Sequence, residues 1–537
     1  MWPATASCPL GLSEQAWIEF SLRKLIALVG VDRVLTASLM TDESLPRDET
    51  GNLVELTVRH FCSLLDIDRG AFEFEVVPAG EMAALGLWVN DPPRILISEK
   101  AAATEAGLLS TVAHELMHEF LLRRGLLTGL EPDHEQLTDL ATAMLGLGIP
   151  HANSAFEDRS ENLGTFSIWQ AEKRGYLSAM QMGYAMAVVA RFRGDDPEPY
   201  FQNLRGDAKS TFSSAWAYLA GRTNPVVVRG GDGRVVVPTA PELMQDLEGE
   251  DDCRRLCALW QLALEGDVDV ELQDAAVPSL SSREPDIRLA AVEVLCKFEH
   301  VGVRNELPRL LTDDSIRVRA AACRASAPYL KASLDLTRLV FEGLQERSDT
   351  LVNAAAEALC VSETRHEIRV EPIVRMLREA VHRRPEVHRE PLLYLLTLHC
   401  PDPETVLREA FASETDQKEL EEVLAQLRSL PASEEGKEVE WPSIAGCTFC
   451  GVVISAEQWD DESNRFADGE REARPVCPEC QAGIERNDKE RQAEAAVPTS
   501  AGFEAMLRFM LLLACIGVAA VLIEVLGRWL QWGRRRG

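Results

Sequence analysis

Positive charge is scarce in this chain. Its 537 residues carry 55 lysines and arginines against 86 aspartates and glutamates, for a net charge of −31. A surface built to grip phosphates needs the opposite balance, so nucleic acid is not an expected partner. Aromatic residues make up only 6% of the chain and histidines number ten. Cysteine is present but unpaired in pattern: the count of 13 is odd, and nine positions are scattered through apolar stretches. That usage suits a reducing compartment better than a disulfide framework. A secretory signal is also missing from the N-terminal stretch, where Glu14 and Glu19 interrupt the first apolar region and no basic segment precedes it. The bulk of the chain is therefore expected in the cytoplasm.

What remains is an ordinary globular composition, 46% hydrophobic and 26% charged, at a length that calls for several domains. The rarity of histidine makes one stretch stand out. His114-Glu115-Leu116-Met117-His118 carries two of the ten histidines four residues apart. On a helix that spacing puts both imidazoles on one face, where they can reach one metal ion while Glu115 flanks it. The helix is expected over about 102–123, ended by Arg123, Arg124 and Gly125, after strands at Phe72–Val77 and Arg94–Ser98. Pro132 and Asp133 open the next helix, whose polar stripe carries Glu135, Thr138, Asp139 and Thr142. A helix, strands and the histidine helix make a small α+β unit whose edge strand could pair with an extended chain.

Glu135-Gln136-Leu137-Thr138-Asp139 has the E-x-x-x-D form, and with the H-E-x-x-H segment it resembles the gluzincin metallopeptidases, the thermolysin-like class. The metzincin pattern fails, because Leu121 and Arg124 stand where its glycine and third histidine belong. The resemblance, confined to about residues 70–190, implies a zincin-like domain over 1–225 with one catalytic Zn2+. It implies that His114, His118 and Glu135 hold the ion, that Glu115 takes a proton from water, and that Asp139 orients a ligand histidine. His134, adjacent to Glu135, and Asp139 itself stay open as alternative third ligands, and Tyr176 or Tyr184 as donors to an oxyanion. The implied substrate is a peptide or protein.

From 150 to 221 the pattern stays mainly helical, and two valine triplets around Gly230-Gly231-Asp232-Gly233 form a hairpin or a structured linker. From 241 to 430 the chain repeats. Asp286-Ile287-Arg288-Leu289-Ala290-Ala291, Ile316-Arg317-Val318-Arg319-Ala320-Ala321 and Leu351-Val352-Asn353-Ala354-Ala355-Ala356 recur at roughly 29 to 34 residues. This resembles HEAT-type repeats, an all-α solenoid, and implies an extended surface for protein partners.

An acidic linker, 433–440, leads to Cys447-Thr448-Phe449-Cys450 and Cys477-Pro478-Glu479-Cys480. Two C-x-x-C pairs have the arrangement of a tetrahedral zinc site whose four thiolates leave no open position, so this second Zn2+ is structural. The segment 441–485 resembles a zinc ribbon. Its intervening acidic residues favour a protein contact over nucleic acid. Last, 505–526 is expected as a single membrane-spanning helix. Its uninterrupted apolar run, Phe509 to Ile523, reaches the ~20 residues needed only by taking in Arg508 or Glu524. Trp529, Trp532 and three terminal arginines supply an interfacial anchor. The expectation is thus a membrane-anchored zinc metallopeptidase. The alternative is an inactive scaffold that uses the same domains for protein binding.

Overall fold

The computed structural model describes residues 7–430, except 42–43, 45–51, 83, 130, 132, 155, 164–165, 174–175, 267, 363–367 and 413–416. Beyond 430 it describes only the backbone pairing of Ala445–Gly446 with Val453–Ile454 and of Arg465–Phe466 with Arg474–Pro475. Cys447, Cys450, Cys477, Cys480 and the 505–526 segment lie outside the described residues. Among the described residues, no helix is long and apolar enough to cross a membrane. The chain is mostly helical, with one small mixed sheet, and it divides into two compact units. One comprises 38–177; the other joins 7–37 to 178–430. The packing therefore does not divide near residue 225, where the composition changes.

The chain opens with α1 (Leu12–Val29) and α2 (Val31–Thr36), which group with the residues after 177. The 38–177 unit then begins with α3 (Leu53–Leu65), capped by Asn52, which buries Val58, Phe61 and Leu65 on one side. Three strands follow: β1 (Glu73–Val77), β2 (Gly86–Val89) and β3 (Arg94–Ser98). Their order is β1-β3-β2, with β1 parallel and β2 antiparallel to β3, so β2 lies at an edge. After α4 (Glu99–Ala102), the helix α5 (Glu105–Leu121) is started by the Thr104 side chain, which accepts from the Gly107 N–H at 3.1 Å. α5 is enclosed by α3, β2, β3, α6 (His134–Met144) and α7 (Gly148–Ser154). Every residue from Gly107 to Leu121 is consequently buried, both histidines included. From Gly107 to Leu121 the helix therefore has no solvated face.

After α7 the helical expectation fails. Phe156–Leu163 (β4) and Phe166–Lys173 (β5) pair antiparallel. Phe166, Ile168 and Trp169 are residue types that favour a strand.

In the second unit, α8 (Ala179–Arg193) is started by a reciprocal Ser178–Gln181 capping box. α9 (Glu198–Asn203) leads to α10 (Gly206–Gly221), which lies so close to α8 that a Cβ on Gly183 would stand 2.4 Å from the Ala208 carbonyl oxygen. The valine triplets form a minimal hairpin, closed by Val236 N–H on the Val228 carbonyl at 2.8 Å. Helices then come in pairs: α11 (Ala240–Glu248) with α12 (Asp252–Leu264), α13 (Val270–Ala276) with α14 (Pro285–Lys297), and α15 (Val301–Leu310) with α16 (Ile316–Leu330). The pairs continue with α17 (Leu334–Gly343) and α18 (Asp349–Ser362), α19 (Val370–His382) and α20 (Arg389–His399), and α21 (Pro403–Ala410) and α22 (Gln417–Ser429).

The second helices stack on one another in sequence order, from α12 to α22. The first four of them start at 252, 285, 316 and 349. The alanines that mark the sequence repeat, at 290–291, 320–322 and 354–356, are all buried on these helices, where a small side chain lets neighbours approach. Arginine forks tie pairs together. Arg288 binds both oxygens of Asp313 at 2.8 and 2.6 Å, and Arg384 reaches Asp349 at 2.6 Å. α1 packs on α8 and on α12, at the start of the stack.

Candidate metal centre

Four residues apart on α5, His114 and His118 project toward the first turn of α6. There Glu135 Oε2 lies 3.0 Å from His114 Nε2 and 3.2 Å from His118 Nε2, and the two Nε2 atoms are 3.0 Å apart. Three ligand atoms from His114, His118 and Glu135 thus converge on one point and could hold a metal ion. The donor chemistry fits zinc. Bonds of about 2.0 Å in a tetrahedron separate neighbouring ligand atoms by about 3.3 Å, close to the separations found here. Three electron-rich atoms meeting in a buried place also require a cation or protons between them.

The neighbours of these residues explain their aim. Asp139, one turn after Glu135 on α6, is fully buried, and its Oδ1 lies 2.7 Å from His114 Nδ1. With the Nδ1 proton donated there, Nε2 is the nitrogen of His114 that faces Glu135 and His118. Asp139 Oδ2 accepts the backbone N–H groups of Tyr176 and Leu177 at 2.7 and 2.9 Å. His134 contacts the other oxygen of Glu135 at 3.4 Å and the Glu131 carbonyl at 3.1 Å. Of the two alternative third ligands, then, Asp139 sits on the far nitrogen of His114 and His134 buttresses Glu135. Tyr176 lays its ring nearly parallel to His114, at 5.6 Å between centroids. Tyr184 instead donates its hydroxyl to Glu19 at 2.6 Å.

Glu115 is buried beside the two histidines. Burial pushes its carboxyl up to about 7, against the pull of His114, with Glu135 adding to the rise and the Trp88 backbone N–H opposing it. The edge strand β2 makes room for it. A Cβ on Gly86 would stand 2.3 Å from Glu115 Oε1 and 2.6 Å from Thr111 Cγ2. Two residues on, the Trp88 indole donates to the buried Glu119 at 2.7 Å, and Arg123 pairs with the other oxygen of Glu119. Gly86→Ala is therefore expected to displace the Glu115 carboxylate, the movable partner in that clash. Metal content should stay at the wild-type level while any hydrolytic rate falls about tenfold or more. Metal analysis beside a rate assay checks both halves.

The charges respond as their surroundings dictate. Burial alone would lower His114, but hydrogen bonds to Asp139 and Glu135 hold its pKa well above the usual histidine range. Burial lowers His118, with Glu135 opposing. Glu135 would be raised by burial, yet its contacts with three histidines hold it far below the carboxylate range, and His151 and His114 do the same for Asp139. The metal-free centre accordingly keeps a proton on His114 that an incoming ion must displace. Affinity should rise with pH, about tenfold per unit, until the raised pKa of His114 is passed. Zinc titrations at pH 6, 7 and 8 test this; a flat profile would contradict it.

The sequence pattern located His114, Glu115, His118, Glu135 and Asp139. It did not reveal Gly86, Trp88, Glu119, Ser110 or His151. The one available signal was Gly86, an isolated glycine in a short apolar run, which often marks a close backbone approach. No family model matches this chain, and no curated protein matches it.

Proposed function

We propose that the chain is a zinc-dependent hydrolase, a metallopeptidase of gluzincin type, tethered to a membrane by its 505–526 segment. The observation that carries the reading is the convergence of His114, His118 and Glu135 with a buried carboxylate, Glu115, beside them. Zinc held there would supply Lewis acidity to a substrate carbonyl and bring the pKa of water to about 7. Glu115 then serves as the proton acceptor, at a pKa suited to taking and returning a proton near neutrality. Gly86 and the Trp88 N–H hold it in place. Asp139 fixes the orientation of His114, and His134 that of Glu135. β2, the edge strand of its sheet and next to Glu115, would offer backbone groups to an extended peptide.

The stacked helix pairs from α11 to α22, read as HEAT-like repeats, would present proteins to this centre or bind partners. Cys447, Cys450, Cys477 and Cys480 would hold a second, structural zinc. Metal analysis tests the two-site reading. About two zinc ions per chain should fall to about one in Cys447→Ala/Cys477→Ala, and that one should vanish on adding His114→Ala/His118→Ala. A remaining zinc that survives the histidine changes would sink the proposed centre. A zinc-loaded chain that cleaves nothing in a broad peptide library would favour the scaffold.

A further inference from the structure

A third histidine stands behind the centre. His151, on α7, is 2% exposed, and its ring lies nearly parallel to that of His114, 13° apart in plane and 6.2 Å between centroids. Its Nε2 approaches Asp139 Oδ1 to 2.9 Å, off the straight line of a full hydrogen bond, and its Nδ1 is 3.0 Å from Ser110 Oγ. Ser110 is itself buried on α5, one turn before His114.

These contacts select one tautomer. A bare, electron-rich Nε2 on His151 would stand 2.9 Å from the Asp139 carboxylate, deep in a low-dielectric interior. With the proton on Nε2 the contact is attractive, and Nδ1 is left to accept from the Ser110 hydroxyl. Ser110 Oγ–H then donates to His151 Nδ1, and His151 Nε2–H lies in close polar contact with Asp139 Oδ1, which accepts His114 Nδ1–H. Asp139 is then held on both oxygens, by the His114 hydrogen bond and the His151 contact on Oδ1 and by the N–H groups of Tyr176 and Leu177 on Oδ2. A carboxylate so tied cannot swing to take the metal itself.

We infer that His151 is a positioning residue of the metal centre: through its Nε2–H it locks Asp139, and through Asp139 it sets the direction of the His114 ligand lone pair. The inference rests on the reading of His114, His118 and Glu135 as metal ligands. The two amide isosteres separate this role from mere space filling. Glutamine can place an N–H donor where His151 Nε2 stands, whereas asparagine reaches only the Nδ1 position beside Ser110.

The experiment measures zinc and cobalt affinity, with the thermal midpoint of the metal-free protein, for wild type, His151→Gln, His151→Asn and Ser110→Ala. His151→Asn should weaken both metals by about tenfold or more, as outer partners of metal ligands do. His151→Gln should stay within about threefold of wild type, and Ser110→Ala should fall between. Equal losses in the Gln and Asn variants that follow their thermal midpoints would overturn the positioning role and leave the centre standing. Wild-type affinity in every variant would overturn it as well. If wild type binds neither metal at the histidines, while His114→Ala/His118→Ala leaves metal content unchanged, the ligand reading has failed and the His151 role falls with it.

Discussion

Glu115→Gln is expected to lower peptide hydrolysis by about 10²–10⁴ while zinc content stays at the wild-type level. The two outcomes are linked by geometry. The three converging ligand atoms belong to His114, His118 and Glu135, so an amide at 115 removes no ligand. It also fits the space: the amide oxygen can still accept the Trp88 N–H, and the absent side chain of Gly86 leaves room for either group. What glutamine cannot do is take a proton from water. In wild type the rate should rise with pH as Glu115 ionises. Burial raises that carboxyl to about 7 from an ordinary value near 4.5, and a cation beside it draws it back down. The acidic limb of the pH profile should therefore lie between those two values and disappear in the residual activity of the variant. Unchanged hydrolysis in Glu115→Gln would remove the proton-accepting role. Loss of zinc along with activity would show that the substitution disturbs the helix instead.

How much of this was legible beforehand follows from distance along the chain. His114 with His118, and Glu135 with Asp139, are each four residues apart on one helix, and α-helical periodicity alone places each pair on a common face. That the two faces meet is suggested only by nearness in the chain, since His118 and Glu135 are 17 positions apart. Nothing local announces His151, which arrives on a seven-residue helix, or the N–H groups of Tyr176 and Leu177, which belong to any residue type. β2 is four residues long, too short to show alternation, so the strand that cradles Glu115 went unread. The same limit explains the units. The alanines of the helix pairs repeat every thirty-odd residues and are visible as a pattern. The contact of Cys257 with the Ala16 carbonyl joins positions 241 apart, and a single amphipathic helix near the N-terminus does not say which later helix it will cover.

That long-range joint carries the second large effect. On α1, Glu19 is 1% exposed, and both its oxygens accept from Arg222 Nη1 at 2.7 Å. Tyr184 of α8 donates to it at 2.6 Å and Gln15 at 2.9 Å, while Arg222 also reaches Asp251, just before α12, at 2.9 Å. Burial would lower the Arg222 pKa, but the carboxylates of Glu19 and Asp251 hold it well above the ordinary arginine value, so the cation persists in the interior. Burial, with Glu19 adding, likewise drives the Tyr184 hydroxyl far up, which keeps it a donor. Glu19→Ala takes the acceptor from Tyr184 and leaves Arg222 with Asp251 alone, and it should destabilise the 7–37/178–430 unit by about 3–5 kcal/mol. Arg222→Met alone should cost about as much, since it strands the carboxylate. Glu19→Met/Arg222→Met should recover much of the loss, because neither desolvated charge then remains. Two units in one chain can unfold separately, so the measurement is native-state hydrogen exchange at the amides of α1 and α8, not a single global transition. Protection in those helices should fall by about two to four powers of ten in each single variant, converted at about 1.4 kcal/mol per tenfold. If both single variants left it unchanged, the buried pair would not be what holds α1 to the helix stack.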